Sequence, residues 1–125
     1  MNNILLIEDE EPLRDVYKEV LVDSGYKVDV AFDGSSGLSK ALAGVWDLLL
    51  LDIMLPGDDG FHILRLVKEN EILEKRPVIL LTNLGSEPII KAAFSLGADG
   101  FLIKSEITPD KVVEEVTNYL GRKVS

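Results

Sequence analysis

The stretch from Trp46 to Pro56 constrains the fold more than any other. Four leucines, Leu48 to Leu51, run without a break and stop at Asp52. A short continuous apolar run reads as a strand buried on both faces, the kind found inside a parallel sheet. A carboxylate at the end of such a strand gains nothing from the core. In open α/β sheets the ligand crevice lies outside the carboxyl ends of the strands. Asp52 therefore sits where chemistry would sit, and Leu55-Pro56-Gly57 turns the chain away just after it. Taken alone, Asp52 reads equally well as a loop cap. The ends of the other strands decide.

The rest of the chain alternates. Asn3 to Ile7 is a short apolar run, read as the first strand, and it stops at Glu8-Asp-Glu-Glu11. Pro12 suits the first turn of a helix, and the preceding acids suit the positive end of its dipole. Leu13, Val16, Tyr17, Val20 and Leu21 recur at helical spacing until Ser24-Gly25. Lys27 to Ala31 alternates, which marks a strand nearer an edge. A helix is predicted from about Ser35 to Ala43, with Leu38 and Leu42 as its apolar face. Asp47 to Leu51 is the central strand. After the turn Asp58-Asp59-Gly60, a helix is predicted through Phe61, Leu64, Val67 and Lys68 to about Leu73.

Pro77 opens the strand Val78 to Leu81, which ends at Thr82-Asn83. The loop Gly85-Ser86 leads to a helix with Pro88 in its first turn, running through Ile89, Ala92, Ala93 and Leu96 to Gly97. Gly100 to Ile103 is the fifth strand and ends at Lys104. Thr108 is the expected N-cap of the last helix, with Pro109 at N1 and Val112, Val113, Val116, Tyr119 and Leu120 on its inner face. Five strands alternating with five helices imply parallel strands, right-handed crossovers and helices on both faces. The expected fold is a doubly wound α/β sheet.

The 125 residues suit one core, and a hydrophobic fraction of 46% suits a globular chain. The formal net charge of −9 would repel phosphate backbones and anionic lipid heads, so no direct nucleic-acid or membrane partner is expected. The absence of cysteine excludes disulfides, thiolate metal sites and cysteine nucleophiles. No basic leader and no run of membrane-spanning length is present, so a soluble cytoplasmic protein is expected. Residues 1–125 read as a single domain with no output domain in this chain.

Four of the five strands end in polar residues: Glu8 and Asp9, Asp52, Thr82, and Lys104. In a doubly wound sheet these ends share one edge and can converge. Carboxylates brought together repel and want a cation. Oxygen ligands without His or Cys select a hard ion, Mg²⁺ foremost, with Mn²⁺ as the alternative. Lys104 adds a point charge and Thr82 a hydroxyl, a set suited to a phosphoryl group. A carboxylate can attack phosphorus and form an aspartyl-phosphate. Asp52 ends the central strand and is the best nucleophile; Asp9, with Glu8, best holds the metal.

These stretches resemble the receiver domain of the response regulators of two-component signalling. The resemblance rests on Ile4-Leu-Leu-Ile-Glu-Asp-Glu-Glu-Pro12, Leu51-Asp-Ile-Met-Leu-Pro-Gly57 with Asp59-Gly60, Val78-Ile-Leu-Leu-Thr82, and Gly97-Ala-Asp-Gly-Phe-Leu-Ile-Lys104. It covers about Asn3 to Leu120. It implies a flavodoxin-like strand order 2-1-3-4-5 with the site at the switch point. It implies that Asp52 accepts a phosphoryl group from a phosphohistidine on a sensor histidine kinase or phosphotransfer protein. Asp9, Asp52 and the backbone carbonyl of Met54 would bind the metal, with Glu8 acting through water or at longer range. Lys104 would pair with Asp52 and then with the phosphoryl oxygens, Thr82 would move inward, and Phe101 would change rotamer. The face of the fourth helix, fifth strand and fifth helix would then control an output partner, as a monomer or a weak dimer on phosphorylation. Such a domain catalyses only its own phosphorylation and dephosphorylation.

Two positions depart from the family. Ser105 stands where a proline with a cis bond is usual; a cis bond to a non-proline costs about 3–4 kcal/mol, so a trans bond and a rearranged loop are expected. Asn83 stands in a slot that is usually small and would modulate access to the phosphoryl group. Phe101 lacks the hydroxyl of the commoner tyrosine. Other residues read more plainly. His62 suits a surface role, Trp46 packing at the start of the central strand, and Asp58-Asp59 a turn, since calcium-loop spacing is absent. Two other classes fit the sequence less well. An aspartyl-phosphate hydrolase would carry a second carboxylate two residues after its nucleophile, where this chain has Met54. A degenerate receiver would act only through protein contacts, against which stand Asp9, Asp52, Thr82 and Lys104.

Overall fold

A computed structural model describes residues 2–55, 60–83 and 87–121. Five strands alternate with five helices: β1 (Asn3–Ile7), α1 (Glu11–Asp23), β2 (Lys27–Ala31), α2 (Gly34–Ala43), β3 (Leu48–Asp52), α3 (Gly60–Glu69), β4 (Val78–Thr82), α4 (Glu87–Ser95), β5 (Gly100–Ile103) and α5 (Pro109–Gly121). All neighbouring strands run parallel, in the order β2-β1-β3-β4-β5. The expected doubly wound sheet and its order are borne out. β2 lies at the edge, as its alternating sequence implies. The turns at Pro56 to Asp59 and at Gly85-Ser86 lie outside the described residues.

The leucine run explains the layering. Successive strand residues face opposite sides. Leu48 and Leu50 join Ile4, Leu6, Ile79 and Leu81 beneath α1 and α5. Leu49 and Leu51 join Leu5, Ile7, Val78 and Leu80 beneath α2, α3 and α4. Every residue of β3 and β4 is buried, because each is flanked by strands and covered on both faces. At about 25 cal/mol per Å² of apolar area removed from water, this two-sided core drives folding.

Sequence and structure differ at several boundaries. β3 runs one residue further than expected and includes Asp52, since Ile53 N still donates to Leu81 O at 3.1 Å. α3 stops at Glu69, short of Leu73. The Asn70 side chain takes the N–H groups of Ile72 (2.9 Å) and Leu73 (3.2 Å), offering the backbone an alternative to the helix. The inner face of α2 is Gly34, Gly37 and Ala41, while Leu42 is exposed. Leu38 packs against the core as expected, and a Cβ on Gly37 would lie 2.9 Å from Ile7 Cγ2, so beside Leu38 the backbone of α2 sits directly on the sheet. In α1, Val16 is exposed, and Tyr17 and Leu21 make the buried contact. Trp46 packs as expected: it is buried, its Nε1 donates to Ala41 O at 2.9 Å, and the Arg76 guanidinium lies 5.4 Å from its ring centre.

Candidate functional site

Parallel register brings the strand ends to one edge. β1 pairs with β3 through Ile7 and Leu51, β3 with β4 through Asp52 and Leu81, and β4 with β5 through Thr82 and Ile103. The residues just past those pairs are Glu8, Asp52, Thr82 and Lys104, and all four are buried polar groups in an otherwise apolar interior. Carboxylate oxygens of Glu8, Asp9 and Asp52 lie within 4.8 Å of one another. Such a set of three acids offers oxygen donors alone, which fits a hard divalent cation and no soft one.

Lys104 is the counter-charge. Its Nζ donates to Asp52 Oδ2 at 2.8 Å, Glu8 Oε2 at 2.9 Å and Glu10 Oε2 at 2.9 Å, and it lies 2.7 Å from Glu8 Oε1. Burial alone would push the ammonium down. Hydrogen bonds to Asp52, Glu8 and Glu10 more than reverse that and hold it above the ordinary lysine value.

The two aspartates are driven apart. Burial pushes the Asp52 carboxyl up to about 7; Lys104 and the Met54 N–H oppose the rise, while Asp9 and Glu8 add to it. Asp9 is exposed, and what burial it has works upward. Hydrogen bonding to Asp52 and Glu8 and the Lys104 charge nevertheless leave it below the ordinary carboxylate value. Neighbouring carboxylates whose environments separate them in this way mark a site of acid, base or nucleophilic chemistry.

Each expected site residue can be placed. Asp52 closes β3, and its Oδ1 accepts from Met54 N at 3.0 Å, so the chain turns tightly over the carboxylate. Met54 is exposed and Thr82 is buried at the end of β4, where its carbonyl accepts from Lys104 N at 2.8 Å. Phe101 lies on β5 with its ring turned outward, edge-on to Phe94 of α4 at 6.1 Å and 82°. Asn83 and Ser105 are exposed at the ends of their strands. No cis peptide bond occurs among the described residues, so Lys104–Ser105 is trans as expected. The Ser105 turn closes with Glu106 N and Ile107 N both on Ile103 O. His62 is partly buried in the first turn of α3.

Three residues enter the site that the sequence reading placed elsewhere, Glu10 and Tyr17, or did not single out, Arg14. Glu10 was expected to serve the helix dipole, yet its carboxylate goes to Lys104. Arg14 donates to Glu8 O at 3.0 Å while its guanidinium lies 5.9 Å from the exposed Phe32 ring. Tyr17 reads as core by spacing, but its hydroxyl is buried without a hydrogen-bond partner among the described residues, and burial and the Glu8 charge push it up. A run of four acids, more than one metal needs, was the available signal for Glu10.

A buried aspartate at the end of the central strand, an ion-paired lysine on β5 and a threonine on β4 define a class of phosphoacceptor switches. The family model described as the response regulator receiver domain matches residues 4–117, and the chain belongs to that family. It is 40% identical over 101 residues to the transcriptional regulatory protein DltR of Streptococcus agalactiae, which covers 81% of this chain and 44% of that protein. It is 34% identical over 119 residues to the transcriptional regulatory protein ResD of Bacillus subtilis, covering 95% of this chain and 48% of that protein. The chain thus spans about half the length of these regulators. The receiver domain protein (CheY-like) of Methanospirillum hungatei JF-1 superposes with a TM-score of 0.90 at 25% identity, over 98% of this chain and 95% of that one. The Mn(2+)-bound form of response regulator Rcp1 superposes at 0.84 with 27% identity, over 96% and 94%. Among the described residues no helix is long and apolar enough to cross a membrane.

Proposed function

We propose that this receiver is a phosphorylation-dependent switch in which Asp52 accepts a phosphoryl group from a phosphohistidine of a sensor histidine kinase or phosphotransfer protein. The observation that carries this reading is the Asp52–Lys104 contact of 2.8 Å inside a cluster of oxygen donors at the strand ends. An Asp52 carboxylate oxygen forms the new bond to phosphorus, the phosphorus–nitrogen bond breaks, and its electron pair stays on the imidazole. Lys104 steadies the charge on the phosphoryl oxygens, and Thr82 supplies a hydroxyl from β4.

Asp9, Asp52 and the Met54 carbonyl would hold the cation, with Glu8 behind them. Bound there, Mg²⁺ or Mn²⁺ offsets the repulsion between the acids and the incoming group. Rcp1 has been solved with Mn²⁺, which supports a divalent ion in this fold. Thr82 moving inward would free space for the Phe101 ring, and the face of α4, β5 and α5 would shift population toward the state that its output partner binds. Asn83 and Ser105 border the site and would set how long the phosphoryl group stays. The protein would work in the cytoplasm as a monomer or a weak dimer.

Incubation with acetyl phosphate and Mg²⁺, followed by intact mass measurement, tests the reading. One phosphoryl adduct is expected, lost in Asp52→Asn and in the presence of a chelator. Persistence of the adduct in Asp52→Asn, or its complete absence from the native protein, would sink it.

A further inference from the structure

Glu10 occupies the N-cap position of α1, with φ −80° and ψ 106°, yet its side chain makes no cap hydrogen bond. Short side chains such as Asp or Ser at this position accept from the first free N–H groups of the helix, and the longer Glu10 is free to point elsewhere. Here it reaches away from the helix and accepts a hydrogen bond from Lys104 Nζ at 2.9 Å. An ammonium has three donors. Lys104 commits them to Glu8, Glu10 and Asp52. In this arrangement no N–H of Lys104 is left for a phosphoryl oxygen, so one of the three contacts must open before the lysine can serve a transferred group.

The three contacts differ in how readily they open. The side chains of Glu8 and Asp52 are 0% and 3% exposed, and that of Glu10 is 45% exposed. Releasing Glu8 would strand a buried charge without water or partner. The Asp52 contact passes to the phosphoryl oxygens only as Asp52 bonds to phosphorus, after the donor has docked. Glu10 can turn into solvent, where water replaces the lysine at small cost. Its charge acts in the same direction. A phosphodonor brings further negative charge to a cluster of three acids, Glu8, Asp9 and Asp52, and Glu10 adds a fourth beside them, held on the Nζ that Glu8 and Asp52 share.

Resting on the assignment of Asp52 as phosphoacceptor, we infer that Glu10 is a latch on Lys104 that slows phosphorylation and selects against dianionic phosphodonors. The latch opens when an incoming phosphoryl oxygen replaces Glu10 as the acceptor of that Lys104 N–H. Glu10 itself makes no bond to phosphorus; it acts through Lys104 and is a positioning residue.

The test is Glu10→Gln, which keeps shape and removes charge at an exposed position. Phosphorylation rates are measured by mass at saturating Mg²⁺ with two donors, acetyl phosphate as a dianion and phosphoramidate with one net negative charge. The variant is expected to react about threefold or more faster than the native protein with acetyl phosphate, the scale of one partly screened charge. A smaller gain is expected with phosphoramidate. A purely structural role would move both donors alike. An unchanged rate, a slower rate, or an equal gain with both donors would overturn the latch while leaving Asp52 as acceptor. Absence of any adduct on the native protein would remove the acceptor reading and the latch together.

Discussion

Lys104 Nζ lies 2.8 Å from Asp52 Oδ2, and the two side chains are 2% and 3% exposed. A buried pair of this kind gains little net stability, because desolvation offsets attraction, but breaking it leaves a charge with no compensation. Lys104 is moreover the counter-ion of Glu8 and Glu10. Lys104→Met should therefore destabilise the metal-free protein by about 2 kcal/mol or more at pH 8. Acid should recover part of that loss, since protonated acids no longer need the cation, and Mg²⁺ should recover part at pH 8. Urea unfolding at pH 5 and pH 8, with and without Mg²⁺, checks this. Equal losses under all conditions would mean that only packing was removed.

Asp52 predicts a pH dependence of the opposite origin. Its carboxyl stands at about 7 in the fold against 3.8 ordinarily. The folded state therefore holds this proton more tightly than the unfolded chain does. The corresponding stability is fully present below about pH 4, the unfolded value, and is lost as pH rises through 7. Asp52→Asn removes the titration. It should leave stability nearly unchanged at pH 4 and raise it by up to about 4 kcal/mol at pH 8 without metal, roughly three units of displacement at about 1.4 kcal/mol each. Denaturant melts of both proteins across that range measure the difference. A constant offset at every pH would contradict the assignment.

Tyr17 carries the one buried hydroxyl among the described residues that lacks a partner. Its ring fills the space between α1 and the sheet beside Ile4, Leu6 and Val116. Deleting a phenolic oxygen that makes no hydrogen bond removes a desolvation cost and keeps the ring. Tyr17→Phe should therefore be neutral or stabilising by up to about 1 kcal/mol. A loss larger than 1 kcal/mol in urea melts would show that the hydroxyl is bonded in solution.

The layers of this fold were legible because burial on two faces leaves a plain record. A run such as Leu48 to Leu51 has no solvent side, so it admits one reading, and the polar residues that end the strands mark the only edge where they could meet. Contacts made by direction in place of pattern were not legible. Glu10 belongs to a helix start by spacing, and only the path of its side chain sends it to Lys104. Leu42 follows helical periodicity, but the close approach of Gly37 to Ile7 turns the leucine to solvent. The end of α3 escaped because Asn70 stops it with side-chain hydrogen bonds, a local competition that apolar spacing does not register. Asp9, Asp52, Thr82 and Lys104 were legible as neighbours because strand register alone brings the ends of β1, β3, β4 and β5 to one edge.

Gly60 ties the backbone of the site to α3. Its N–H donates to Ile53 O at 3.1 Å as the helix begins. A Cβ built there would lie 2.6 Å from Asp52 O, 2.6 Å from Ile53 Cα and 2.9 Å from Ile53 O. Gly60 is not among the glycines with positive φ, so the demand for glycine is one of space and not of backbone angle. The obstructing atoms are main chain and cannot rotate away. Gly60→Ala must move either the start of α3 or the end of β3, and overpacking of this kind costs about 1–3 kcal/mol. A shift of β3 would also move the Asp52 carboxylate relative to Lys104, which sits on a different strand. The variant should lose about 2 kcal/mol in urea and phosphorylate more slowly than the native protein with acetyl phosphate. A variant of native stability and native rate would show that the turn after β3 is looser than its 2.6 Å contacts imply.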